Sequence, residues 1–208
     1  MGLNILKLLL TSNGFYTDSI KGHFLNLVGD EVYELNVAII TTASPHKENN
    51  KYAQKAKEDF KQMGFQNIDF IDLEFESPEC LIQQDVIYIG GGNPFNLLFH
   101  FKNSGADNIL RQLISKNIVV VGVSAGAILL GPNIEIVNFF TPQMDKLNTQ
   151  DYSALGLTDK LVFPHYDRED LFKNSTNKTI EDRLKEFEAR ENCEVTRLKE
   201  DGYVTVQK

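Results

Sequence analysis

The strongest constraint on this chain is an alternation. Short β-rich runs recur along it, several of them almost wholly apolar, with helix-period segments between them. The runs are Ile5–Leu10, Val37–Thr42, Ile68–Leu73, Val86–Ile89, Ile118–Val123, Leu161–Phe163 and the terminal pair Val195–Leu198 and Tyr203–Val206. A strand that is apolar at every position has both faces covered, the condition of a parallel strand between two helical layers. Lys51–Met63 sets Tyr52, Ala56, Phe60 and Met63 at helical spacing, with Gly64 as a C-terminal stop. Ile109, Leu110, Leu113 and Ile114 mark a second helix, and Ile180, Leu184 and Phe187 a third near Thr179–Arg190. The rhythm predicts an α/β fold with a doubly wound, mostly parallel sheet and helices on both faces.

At 208 residues the chain can build one substantial core and is short for two, so residues 1–208 are expected to form a single domain. Its 29 acidic residues outnumber 21 basic ones, for a formal net charge of −8. An acidic surface repels phosphate backbones and anionic lipid, which argues against nucleic-acid and membrane partners. Cys80 and Cys193 stand far apart and outside any C-x-x-C spacing, the usage of a reducing compartment. The apolar run near the N-terminus is broken by Lys7 and too short for a secretory leader, and Leu6 breaks the myristoylation pattern. No stretch approaches a membrane span. A cytoplasmic protein is expected, in which the sequon Asn174-Ser175-Thr176 is accidental. No H-x-H or H-E-x-x-H occurs and neither cysteine accompanies a histidine, so no metal or other cofactor is expected. The polar, turn-rich stretch Asn138–Thr158 is of a length often functional, and reads as a segment that could cover a site.

The chemistry centres on Gly122-Val123-Ser124-Ala125-Gly126, which follows Val119-Val120-Val121 and precedes an apolar helix start at Ala125–Leu130. A serine nucleophile lifted above a sheet edge needs a sharp strand-to-helix turn, and flanking glycines remove the Cβ atoms that would clash there. The following helix aims N–H groups and a partial positive charge at a developing oxyanion. The bland reading of the same turn is close packing of a helix on a strand. A second glycine cluster, Gly90-Gly91-Gly92-Asn93, follows the run Val86–Ile89 and is neither G-x-G-x-x-G nor a P-loop. Its bare N–H groups could hold a phosphate or an oxyanion. With Ser124 expected on a neighbouring strand end, the oxyanion is favoured, held by the N–H of Gly91 or Gly92 together with that of Ala125.

These segments carry a resemblance. Val121-Gly-Val-Ser-Ala-Gly-Ala-Ile-Leu resembles the nucleophile region of the dipeptidase E and cyanophycinase family of serine peptidases, and Tyr88-Ile-Gly-Gly-Gly-Asn-Pro-Phe-Asn-Leu-Leu resembles its glycine loop. Leu9-Leu-Thr-Ser-Asn-Gly-Phe and Phe163-Pro-His-Tyr-Asp are similar to its other recurring segments, in the same order over nearly the whole chain. Pro94 stands where relatives more often have Thr. The resemblance implies a flavodoxin-like fold, similar to that of class I glutamine amidotransferases, and hydrolysis of short peptides beside an N-terminal acidic residue. A monomer or homodimer is expected.

Of four histidines, His23 and His100 sit in helical surroundings, whereas His46 and His165 both follow strands. Spacing does not separate those two; the resemblance does, matching Pro164-His165 to the family's catalytic Pro-His. It also implies the acid of a Ser-His-acid triad in the turn Leu198-Lys-Glu-Asp-Gly, at Glu200 with Asp201 beside it. Catalytic residues are thus expected at Ser124, His165 and Glu200. For the substrate carboxylate, Thr179-Ile-Glu-Asp-Arg183 resembles a family helix that reads Thr-Arg-x-x-Arg. Arg183 is retained as the substrate-binding cation, Ile180 replaces the other arginine, and Arg168 is placed to compensate. Two further classes stay open on the residues: a catalytically silent small-molecule-binding module on the same scaffold, and an amidase or acyl hydrolase, against which Ser124 counts because such enzymes normally carry Cys at this turn.

Overall fold

The computed structural model describes residues 6–29, 31–114, 116–175 and 178–207; the first residue of the run at Ile5 and Thr176 of the sequon lie outside these. In chain order the strands are β1 (Lys7–Thr11), β2 (Asn36–Ile40), β3 (Asn67–Ile71), β4 (Val86–Ile89), β5 (Val119–Val123), β6 (Leu161–Phe163), β7 (Val195–Arg197) and β8 (Tyr203–Gln207). The main sheet has the order β3-β2-β4-β5-β1-β8. Its first five members are mutually parallel, and β8 closes the edge antiparallel to β1, pairing Thr11 with Tyr203. β6 and β7 leave this sheet and pair in parallel with each other, Phe163 beside Arg197.

Alternation along the strands explains why both faces are covered. In β1, Leu8 and Leu10 enter one apolar layer while Leu9 enters the other; in β4, Ile87 and Ile89 oppose Val86 and Tyr88. The first layer is closed by α3 (Pro94–Ser104), α4 (Ala106–Ile114), α5 (Ala125–Leu130), α6 (Glu135–Phe140) and α7 (Ile180–Glu191). The second is closed by α1 (Asp18–Val28) and α2 (Lys51–Gln62), through Phe24 and Phe60. Each fully buried side chain of this size contributes about 1.5–3 kcal/mol, against about 1 kcal/mol for a helix cap, so the layers hold the helices and the caps set where they start. Thr17 and Asn50 cap α1 and α2 by accepting from Ile20 and Tyr52, and Thr179 forms a reciprocal capping box with Asp182 at the start of α7. At the other end of α2, Gly64 takes φ +100°, the turn expected of it.

Candidate active site

Three neighbouring parallel strands, β4, β5 and β1, end side by side, and the loops leaving their carboxyl ends meet above the sheet edge, where α/β folds form sites. From β5 comes Ser124, with φ 51° and ψ −110°. That backbone is rare for a residue with a side chain and costs on the order of 1–3 kcal/mol. It persists because the turn is held on both sides: the Ser124 N–H donates to the Thr11 carbonyl at 3.0 Å, and its own carbonyl accepts from Ile128 at 3.1 Å. A Cβ on Gly126 would stand 2.1 Å from the Ile89 carbonyl oxygen, and one on Gly122 would stand 2.7 Å from the Gly126 oxygen. The G-x-S-x-G spacing is therefore a packing requirement as well as a chemical one.

The glycine loop after β4 lies directly against this turn. A Cβ on Gly91 would come within 3.1 Å of the Ser124 Cβ, and Gly92, at φ +145°, packs on the Ala43 backbone. Asn93 fixes the loop from below: its N–H donates to the Ala43 carbonyl at 2.8 Å, its Oδ1 caps α3, and its Nδ2 donates to the Met144 carbonyl. Pro94 takes the first helical position, where its missing N–H is no loss. Gly91, Gly92 and Ser124 all line one cleft of about 660 Å³, and Ala125 opens the helix behind the serine.

His165 follows β6 and sits at φ 60°. Its Nε2 is 2.9 Å from Ser124 Oγ, and its Nδ1 is 2.6 Å from Glu200 Oε1. Glu200, rather than Asp201, carries the carboxylate that reaches the ring; Asp201 is exposed. The turn bearing Glu200 is pinned by Gly202 N–H donating to the Lys199 carbonyl and by Glu200 N–H donating to Asp167 Oδ1 at 3.0 Å. His46 is exposed beside the 3-10 turn Lys47–Asn49 and does not line the cleft, and His23 stacks on Tyr203.

Two residues with no assigned role in the sequence reading complete the arrangement. The buried Ser12 hydroxyl accepts the His165 backbone N–H at 2.7 Å and lies 3.4 Å from Nδ1. Asn13 Nδ2 donates to Glu200 Oε2 at 2.7 Å. Both lie in the Thr-Ser-Asn-Gly stretch after β1, whose similarity to a recurring family segment was the available signal.

The structure corrects the expected carboxylate reader. Arg183 is buried, its guanidinium donates to the carbonyls of Phe172 and Phe140 at 2.9 and 3.0 Å, and it lies over the Phe140 ring. It does not line the cleft. Burial pushes its pKa down from the ordinary arginine value. Ile180 is likewise a core residue, 1% exposed. Arg168 does line the cleft, but Asp170 takes its fork through Nε and Nη2 at 2.9 and 2.7 Å, and its Nη1 stands 3.8 Å from Glu200. The stretch Asn138–Thr158 does not line this cleft either; it packs on α3, where Lys102 pairs with Asp151. Among the described residues no group of three or more His, Cys, Asp or Glu side chains is arranged to hold a metal ion, and no helix is long and apolar enough to cross a membrane.

With this geometry in place, comparison with known proteins gives a consistent answer. The model of peptidase family S51 matches residues 8–208. An uncharacterized peptidase of Listeria monocytogenes is 32% identical over 69% of this chain and 71% of its own length. Peptidase E of a Nostoc species is 26% identical over 87% and 74%, and a probable alpha-aspartyl dipeptidase of Drosophila melanogaster is 25% identical over 96% and 82%. Among solved structures, a candidate peptidase E protein of Listeria monocytogenes superposes with a TM-score of 0.76 at 26% identity, covering 98% of this chain and 95% of its own.

Proposed function

The chain belongs to peptidase family S51 and is a peptidase, and from that premise we propose that it is a serine peptidase that hydrolyses short peptides beside an N-terminal acidic residue. The observation that carries the proposal is the line Ser124 Oγ, His165 Nε2, His165 Nδ1, Glu200 Oε1, with contacts of 2.9 and 2.6 Å. In this reading His165 Nε2 takes the Ser124 proton as Oγ attacks the scissile carbonyl carbon. The carbonyl π electrons move onto oxygen, and that oxyanion is held by N–H groups of Gly91 or Gly92 and of Ala125. Glu200 keeps the proton on Nδ1 and stabilises the imidazolium. Collapse of the tetrahedral adduct expels the amine, which takes the proton from Nε2 and leaves an acyl-Ser124 ester. Water, deprotonated by the same nitrogen, then cleaves the ester, and Ser124 regains its proton.

The acidic preference draws support from the resemblance to aspartate-specific peptidases and from the relative named an alpha-aspartyl dipeptidase. The test is hydrolysis of Asp-Leu, followed as released amino groups, by the wild type and by Ser124→Ala. Turnover by the wild type and its loss in a folded variant is the expected result. Equal turnover by both would remove Ser124 from the chemistry.

A further inference from the structure

Arg183 and Ile180 lie in the core and Asp170 takes Nε and Nη2 of Arg168, whose side chain is 42% exposed, so the more open cation of the cleft stands on another wall. The wall built by α2 and β4 carries Lys55, Asp59 and Tyr88, all of which line the cleft. Asp59 is buried, and its Oδ1 is shared by Lys55 at 2.5 Å and Lys21 at 3.0 Å. Two ammonium groups on one carboxylate leave a net charge of about +1 in this cluster. Lys55 is the more open of the two lysines, with its side chain 62% exposed, and one ammonium has three donors, of which Asp59 uses one. Tyr88 is 6% exposed, and its hydroxyl has no hydrogen-bond partner among the described residues. Among the described residues the side-chain atoms sealed from solvent without a partner are Thr11 Oγ1 and Gln84 Oε1, so the Tyr88 hydroxyl is open to the cleft that its side chain lines and is free to donate there. Burial, with the nearby Asp59 charge, pushes its pKa well above the ordinary tyrosine value, so the hydroxyl keeps its proton.

We propose that Lys55 and Tyr88 form the subsite that binds a substrate carboxylate, with Asp59 as the positioning residue that holds the Lys55 ammonium toward the cleft. The proposal rests on the peptidase reading for its substrate class. Chemically it needs one anion able to accept from an ammonium and a phenol together, and a carboxylate has the oxygens to do so. In a dipeptide such a group could be the acidic side chain or the C-terminal carboxylate.

The experiment measures binding, so that it does not depend on the serine chemistry. In the Ser124→Ala background, calorimetry compares Asp-Leu with Asn-Leu, which lacks the side-chain charge, and with Asp-Leu amide, which lacks the terminal one. Asp-Leu should bind at least about tenfold tighter than one of the two neutralised ligands, as expected for losing a charge-assisted hydrogen bond, and which one identifies the carboxylate read. Lys55→Met should abolish most of that preference, Lys55→Arg should retain it, and Tyr88→Phe, which removes a single oxygen, should reduce it several-fold. Asp-Leu binding no tighter than both neutralised ligands, or a preference that survives Lys55→Met and Tyr88→Phe, would overturn the assignment. Tight, Lys55-dependent binding in a protein whose wild type hydrolyses no dipeptide would instead leave the subsite standing and remove the proposed cleavage of short peptides beside an acidic residue.

Discussion

Asn13 Nδ2 donates to Glu200 Oε2 at 2.7 Å, so a loop that leaves the first strand holds an acid 187 residues away. The other oxygen of the same carboxylate faces His165 at 2.6 Å. One side of Glu200 is anchored and the other is presented, the arrangement that fixes an imidazole in one tautomer. Glu200→Gln should lower kcat by roughly three to four decades, in line with amidating the acid of a comparable triad. Asp201→Asn, on an exposed neighbour, should have a much smaller effect. The check is the ranking of the two variants at equal helical signal by circular dichroism.

Asn13→Ala should slow turnover without abolishing it. One hydrogen bond to a charged group is worth about 1.5–3 kcal/mol, or roughly one to two decades in rate. Because Asn13 acts through Glu200, the loss should fall on kcat more than on KM, and Asn13→Ala combined with Glu200→Gln should cost little more than Glu200→Gln alone. Additive losses in that double-mutant cycle would place Asn13 on the substrate instead.

Arg183 and Ile180 make a stability prediction where the family resemblance implied a specificity one. Arg183→Ala strips the buried Phe140 carbonyl and the part-buried Phe172 carbonyl of their donor and should cost about 2–4 kcal/mol of stability, while leaving the ratio of kcat/KM for Asp-Leu over Asn-Leu unchanged. Ile180→Arg forces a cation into the layer around Phe187 and should lower Tm without raising that ratio. A raised ratio would mean that the start of α7 faces substrate after all.

A pH dependence of stability follows from the cluster joining β7 to α7. Arg197 bonds Glu188 at 2.5 and 2.8 Å and Glu181 at 3.2 Å, and holds both carboxyls below the usual glutamate range. Groups with depressed folded pKa values contribute stability that is present above the unfolded value, about 4.3, and lost as pH falls through the folded values. The Tm difference between the wild type and Arg197→Met should therefore be largest near neutral pH and shrink below about pH 4. A difference independent of pH would assign the effect of Arg197 to packing.

What was legible in the sequence is what local chemistry decides. The apolar runs mark the strands because both faces of the main sheet are covered, and Gly64 marks the end of a helix because the turn there takes a positive φ. The Ser124 turn was readable because glycine is demanded there by the Ile89 carbonyl as much as by the nucleophile. Pairing was less legible: Leu161–Phe163 and Val195–Leu198 read as strands, yet no periodicity states that they pair with each other instead of joining the main sheet. Arg183 misled because a match at a sequence position does not say which face of the helix is buried, and that face carries Ile180, Arg183, Leu184 and Phe187 together. Ser12 and Asn13 lay in a recognised segment, but their roles exist only once β1, β6 and the Lys199–Gly202 turn meet.

Ser124, activated by His165, is expected to form a covalent bond to the substrate carbonyl. Treatment with a fluorophosphonate, followed by intact-mass measurement and peptide mapping, reads out the same nucleophilicity. One adduct per chain, located on Ser124, lost in Ser124→Ala and strongly slowed in His165→Ala, is the expected result. Absence of an adduct on the folded wild type, or an adduct on a different serine, would contradict it.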